Sequence, residues 1–152
     1  MKLLLPPQLR AAIEDHARAS FPRECCGLIQ GLSDGDTAQA LVLHPARNVA
    51  LGTDRFEIAP EDHFQALRDA RTNHRALIGC YHSHPRGEAK PSAHDLAGAG
   101  EDGFLWLIVG LSDREAPVAL AAFVYSATTF LPAELAEARG ADLVTSSGKA
   151  RS

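Results

Sequence analysis

A basic excess, long apolar runs and paired cysteines are all missing from this sequence, and each absence removes a class of protein. Fifteen Lys and Arg stand against nineteen Asp and Glu, a formal net charge of −4, with a pI of about 5.9. A nucleic-acid binder usually presents a basic face, so no nucleic-acid partner is expected. No stretch approaches the roughly 20 apolar residues that cross a bilayer, so no membrane partner is expected either. The run Leu3 to Leu5, followed at once by Pro6 and Pro7, is too short for the core of a secretion signal, which places the protein in the cytoplasm. Cysteine occurs at 25, 26 and 80 only, with no Cys-x-x-Cys pair. An odd number without a secretion signal reads as reduced thiols, and neither a thiolate zinc knuckle nor a thioredoxin-type redox site is supported. There is no internal repeat and no linker.

What is present is an ordinary globular composition, 45% hydrophobic and 22% charged over 152 residues. A chain of that length buries a core without metal or disulfide staples, so a metal site here would serve function rather than folding. Apolar spacing predicts helices over Gln8–Phe21, Pro60–Asn73 and Ser92–Gly100. Strands are predicted over Glu24–Leu32, Thr37–His44, Arg55–Ile58, Ala76–His82, Phe104–Leu111, Val118–Tyr125 and Thr128–Leu131, the first two as a hairpin across Ser33-Asp34-Gly35-Asp36. Phe104–Leu111 is continuously apolar, as a central strand covered on both faces would be. The mixture gives one α/β domain with a mixed sheet over residues 1–139. The small, polar segment 140–152 reads as a disordered tail.

The chemistry sits in two short segments, His82-Ser83-His84-Pro85 and Ser92-Ala93-His94-Asp95. Residues two apart on a strand share a face, so His82 and His84 can chelate one ion. Asp95, in the first turn of the following helix, can add a carboxylate. Two histidines and a carboxylate leave a fourth zinc position for water, the arrangement of a catalytic site. Taken singly, a His-x-His pair is more often structural, and Ser92-x-x-Asp95 is first of all a helix cap. Seven residues separate His84 from Ser92 and two separate Ser92 from Asp95; the combination outweighs the separate readings. Ser83 should point away from the histidines and serve packing, and His94 should face solvent. Cys25, Cys26 and Cys80 read as inert buried thiols, and His16, His44, His63 and His74 as surface residues. Glu24, by itself, reads as a surface residue before a buried strand.

Histidine pair, serine and aspartate at this spacing resemble the signature of the JAMM (MPN+) metalloproteases. Phe21-Pro22-Arg23-Glu24-Cys25-Cys26-Gly27-Leu28 is similar to the segment that carries the upstream glutamate in the small bacterial members. The likeness runs over roughly residues 5–130. It implies a three-layer sandwich, a mixed central sheet flanked by helices, of the deaminase-like type. It implies one zinc per chain on His82, His84 and Asp95, with Glu24 as general base and Ser92 steadying the oxyanion. Asn48 resembles a position near the active site of the bacterial relatives and is a candidate substrate contact. The implied reaction is hydrolysis of a peptide or isopeptide bond, after the C-terminal Gly-Gly of a ubiquitin-like or sulfur-carrier protein. An extended tail of that kind could add to an exposed strand edge. A homodimer stays open. The alternative is a non-catalytic MPN scaffold that binds partners, but such members lack the ligands. A zinc deaminase would need His-x-Glu and Pro-Cys-x-x-Cys, and this chain has neither.

Overall fold

The computed structural model describes residues 1–138; the expected tail over 140–152 lies outside them. The order is β1 (Lys2–Leu5), α1 (Pro7–Ser20), β2 (Cys26–Ser33), β3 (Thr37–Ala46), α2 (Pro60–Thr72), β4 (Ala76–Pro85), α3 (Ala93–Gly98), β5 (Leu105–Leu111), β6 (Ala119–Ser126) and β7 (Thr129–Glu137). Proline starts both long helices, where a missing N–H costs nothing. In the β2–β3 turn, Asp34 Oδ1 accepts from the N–H groups of Asp36 and Thr37 at 3.1 and 2.8 Å, and Gly35 takes the left-handed φ of 100° that the turn requires.

The sheet is mixed, as expected, but it is not the open middle layer of a helix-flanked three-layer sandwich. The strands run β1-β3-β2-β4-β5-β6-β7 and close into a seven-stranded barrel, with only three helices among the described residues. Closure depends on β1, which pairs in parallel with β3 (Leu3 opposite Ala38) on one side and with β7 (Leu3 opposite Leu135) on the other. A four-residue strand carries no readable period, and Pro132 interrupts the apolar pattern of β7, so the two partners that shut the barrel were the least visible in the sequence. The Leu3–Leu5 run is nevertheless fully buried. The strand expected over Arg55–Ile58 is reduced to one bridge, Asn48 to Ile58.

Two apolar clusters follow from strand alternation. Leu105, Leu107, Val109 and Leu111 of β5 join Leu3, Leu5, Ile29, Tyr81 and the α1 residues Ile13 and Ala17. Trp106 on the opposite face joins Leu28, Cys80, Tyr125 and the α2 residue Ala66. Every residue of β5 is buried, as its continuous apolar run predicted. Among the described residues no helix is long and apolar enough to cross a membrane.

Candidate metal centre

β4 runs on past its predicted end at His82 to Pro85, and this extension carries His84. His82 and His84 do share a face, with their Nε2 atoms 2.9 Å apart. His82 is fully buried, its ring stacked on Phe56 at 4.4 Å between centroids and edge-on to Trp106. β4 and β5 are parallel neighbours, and His84 lies opposite Gly110. A Cβ at Gly110 would stand 2.8 Å from the backbone of Gly87 and Ala89, so only glycine lets the loop after β4 cross β5 this closely. That crossing brings the Glu88 carbonyl to 2.9 Å from His84 Nδ1. A carbonyl only accepts, so Nδ1 carries a proton, the usual outer support of a ligand histidine, and a bound cation would take the Nε2 lone pair in place of the proton that Nε2 shares with Asp95 Oδ2. Gly110→Val is therefore expected to weaken the binding of any divalent cation held by His84 tenfold or more, measured by chelator competition.

Asp95 comes from α3. Ser92 Oγ accepts from the Asp95 N–H at 3.1 Å, and the Ser92 N–H donates to Asp95 Oδ2 at 2.9 Å. This capping box aims the carboxylate at the histidines: Oδ1 lies 3.0 Å from His82 Nε2 and Oδ2 3.1 Å from His84 Nε2. The cap read from these four residues is present, and it turns the Asp95 carboxylate to the two histidines. Burial would raise the Asp95 pKa, but the hydrogen bonds to His82 and His84 pull it well below the carboxylate range. Desolvation lowers the pKa of His82. For His84 burial pulls downward too, but the bonds to Asp95 and the Glu88 carbonyl outweigh it and the pKa rises.

Glu24 is no surface residue. It is 4% exposed and faces the histidines from the side of β2, where one carboxylate oxygen, His82 and His84 offer ligand atoms within 4.8 Å of one another. Its Oε1 has no hydrogen-bond partner. Desolvation, opposed by His84, raises its pKa to about 7. Two imidazole nitrogens facing one another, a buried anionic carboxylate and a second buried carboxyl with an orphan oxygen form a donor set that suits a divalent cation.

Ser83 points away from the pair, as strand alternation requires, and its Oγ accepts from the Cys25 N–H at 2.8 Å. Asn48, a candidate substrate contact, spends its amide on backbone. Nδ2 donates to the carbonyls of Glu24 and Arg55, and Oδ1 accepts from the N–H groups of Ala50 and Glu57. His94 is half exposed, 3.7 Å from Asp54. Burial pushes the thiols of Cys25 and Cys26 up to about 11 and 12, and that of Cys80 well above its usual value, which fits inert cysteines. His63 and His74 are exposed. His16 and His44 are half-buried instead, bonded to the Tyr81 hydroxyl and the Gln30 amide. No spacing in the sequence pointed to the Glu88 carbonyl, a backbone atom of the loop after β4, or to the Ser83 hydroxyl, which acts across strands.

The barrel, the strand-borne histidines and the capped aspartate define a JAB-domain protein: residues 6–126 match the prokaryotic homologues of the JAB domain, and the chain belongs to that family. Among its relatives, a desampylase of Haloferax volcanii is 35% identical over 118 residues, which cover 74% of this chain and 84% of that protein. A desampylase of Pyrococcus furiosus is 31% identical over 108 residues, covering 70% and 73%. A solution structure from Desulfitobacterium hafniense superposes with a TM-score of 0.80 at 28% identity, covering 93% of this chain and 97% of the other.

Proposed function

We propose that this protein is a cytoplasmic zinc peptidase that hydrolyses the peptide or isopeptide bond after the C-terminal Gly-Gly of a ubiquitin-like or sulfur-carrier protein. One observation carries the reading. Two histidine Nε2 atoms converge with Asp95 bonded to both, while Glu24 faces them with a carboxyl oxygen that has no hydrogen-bond partner. His82, His84 and Asp95 would hold the ion. Bound zinc supplies Lewis-acid activation of water and of the scissile carbonyl near neutral pH.

The chain's own residues supply the rest. Glu24 accepts a proton from the attacking water and delivers it to the leaving amine; a carboxyl poised near 7 suits both transfers. Ser92 Oγ is occupied as an acceptor by the Asp95 N–H, which leaves its O–H to donate to the oxyanion. Ser92→Ala is expected to lower kcat about 10²-fold and to cost about 1 kcal/mol of stability through the lost cap; kinetics and thermal unfolding check the two separately. The desampylase names of the relatives support a substrate of the ubiquitin-like class.

The deciding experiment incubates zinc-loaded protein with the host's ubiquitin-like proteins, each extended beyond Gly-Gly, and reads the products by mass spectrometry. Cleavage after the second glycine, abolished by chelation, is expected. Intact fusions throughout would remove the peptidase reading in favour of a binding scaffold.

A further inference from the structure

Glu24 must hold its carboxylate towards the histidines although Oε1 has no partner. The direction in which its side chain leaves the main chain is set by its backbone. The peptide unit that joins Glu24 to Cys25 is gripped at both ends by side chains from distant parts of the chain. At one end Asn48 Nδ2 donates to the Glu24 carbonyl at 3.0 Å. At the other Ser83 Oγ accepts from the Cys25 N–H at 2.8 Å. The Ser83 N–H also donates to the Cys25 carbonyl at 3.2 Å, so the β2–β4 pairing continues one step beyond Cys26 opposite His82.

We infer that Ser83 and Asn48 form a peptide clamp, a pair of positioning residues that set the direction of the Glu24 side chain relative to the two histidines. The geometry explains why a serine sits fully buried between them. Position 83 faces the opposite side of β4, where only a short hydroxyl reaches the amide across the strand pair. It also accounts for Asn48, whose Oδ1 bonds to Ala50 and Glu57 and whose second Nδ2 bond to Arg55 fix the far side of the clamp to the loop after β3. Neither residue touches the reacting atoms. A rotated Glu24–Cys25 unit would swing the carboxylate off line, and a displacement of about 1 Å in a reacting group can cost about 10²-fold.

The inference rests on the peptidase reading, and the test separates the two. Zinc-loaded full-length wild type, Ser83→Ala, Ser83→Thr, Asn48→Ala, Ser83→Ala/Asn48→Ala and Glu24→Gln are compared on one Gly-Gly fusion, with zinc content measured for each. Ser83→Ala and Asn48→Ala are expected to lose kcat about 10- to 100-fold, with KM and zinc content unchanged. Ser83→Thr, which restores the hydroxyl, is expected to recover most of the rate. Because both residues hold one peptide unit, the double variant should lose less than the product of the single losses. Independent, multiplicative losses, or losses that track zinc content, would overturn the clamp. A second readout needs no activity: in metal-free protein the Cys25 amide proton should exchange at least about tenfold faster in Ser83→Ala, with Leu28 and Ile29 unchanged. Unchanged exchange at Cys25 overturns the clamp even if catalysis falls. Wild type as inactive as Glu24→Gln, with Cys25 exchange responding as stated, removes the peptidase reading and leaves the clamp standing.

Discussion

Glu24→Gln is expected to keep one zinc per chain and to lose hydrolysis by about 10³-fold or more, at the upper end of what a positioned acid–base group contributes. Glutamine preserves the volume and one oxygen of the side chain but cannot take a proton from water. Because the proposed ligands His82, His84 and Asp95 remain, metal binding is expected to persist, and metal analysis beside single-turnover kinetics separates this outcome from a loss of the site. The same substitution has a second signature in the metal-free chain. Burial raises the Glu24 pKa from 4.5 to about 7, so the folded state keeps a proton that the unfolded state releases. Ionising the carboxyl costs the fold: wild-type stability falls as pH rises from about 4.5 to about 7, and Gln is immune to that fall. Allowing for water that reaches the group, Glu24→Gln should be more stable than wild type above pH 7 by about 2 kcal/mol, or roughly 4–8 °C in Tm, and no more stable below pH 4. A variant that loses activity while gaining stability in that pH window marks a residue kept for function at the expense of the fold. Equal Tm values across the range would mean that Glu24 is better solvated than its burial indicates.

The two histidines were legible because strand alternation is the most local of rules: period two puts residues 82 and 84 on one face whatever the rest of the chain does. Asp95 was legible for a different reason, since the capping pattern that located the start of α3 also aims its carboxylate. Glu24 was a different matter. Its proximity to the histidines depends on β2 pairing antiparallel with β4, Cys26 opposite His82, and no spacing within the chain encodes a contact across 58 positions. Only the likeness of its flanking residues to a family marked it. The barrel was missed on similar grounds. Closure needs Lys2–Leu5 to lie between two strands that begin at Thr37 and Thr129, and long-range pairing by a four-residue strand leaves no periodic trace. Closure also bears on substrate capture, because a closed sheet has fewer free edges to which an extended tail could add.

Removing the metal, by chelation or by His84→Ala, is expected to abolish hydrolysis outright and to destabilise the protein. His84 is the sharper probe because its ring is fixed from both sides, by Asp95 and by the Glu88 carbonyl. Truncation removes one donor and leaves Asp95 with an unpaired lone pair in a buried place. Zinc at 100 times its Kd should stabilise the wild type by about 2.7 kcal/mol, or about 5–11 °C in Tm. His84→Ala should show little of that increment at the same zinc concentration. Acid should mimic the truncation. The bonds to Asp95 and Glu88 raise the pKa of His84, so on acidification its Nε2 takes a proton that a metal ion must displace, and affinity falls by up to about tenfold for each pH unit per proton displaced. Zinc titrations from pH 8 down to pH 5 would show that slope in the wild type and a shallower one in His84→Ala. A Tm that rises equally with zinc in both proteins would place the ion elsewhere on the molecule. A pH-independent affinity would mean that the protons on these imidazoles and the metal do not compete, which the shared nitrogen atoms forbid if His82 and His84 are the ligands.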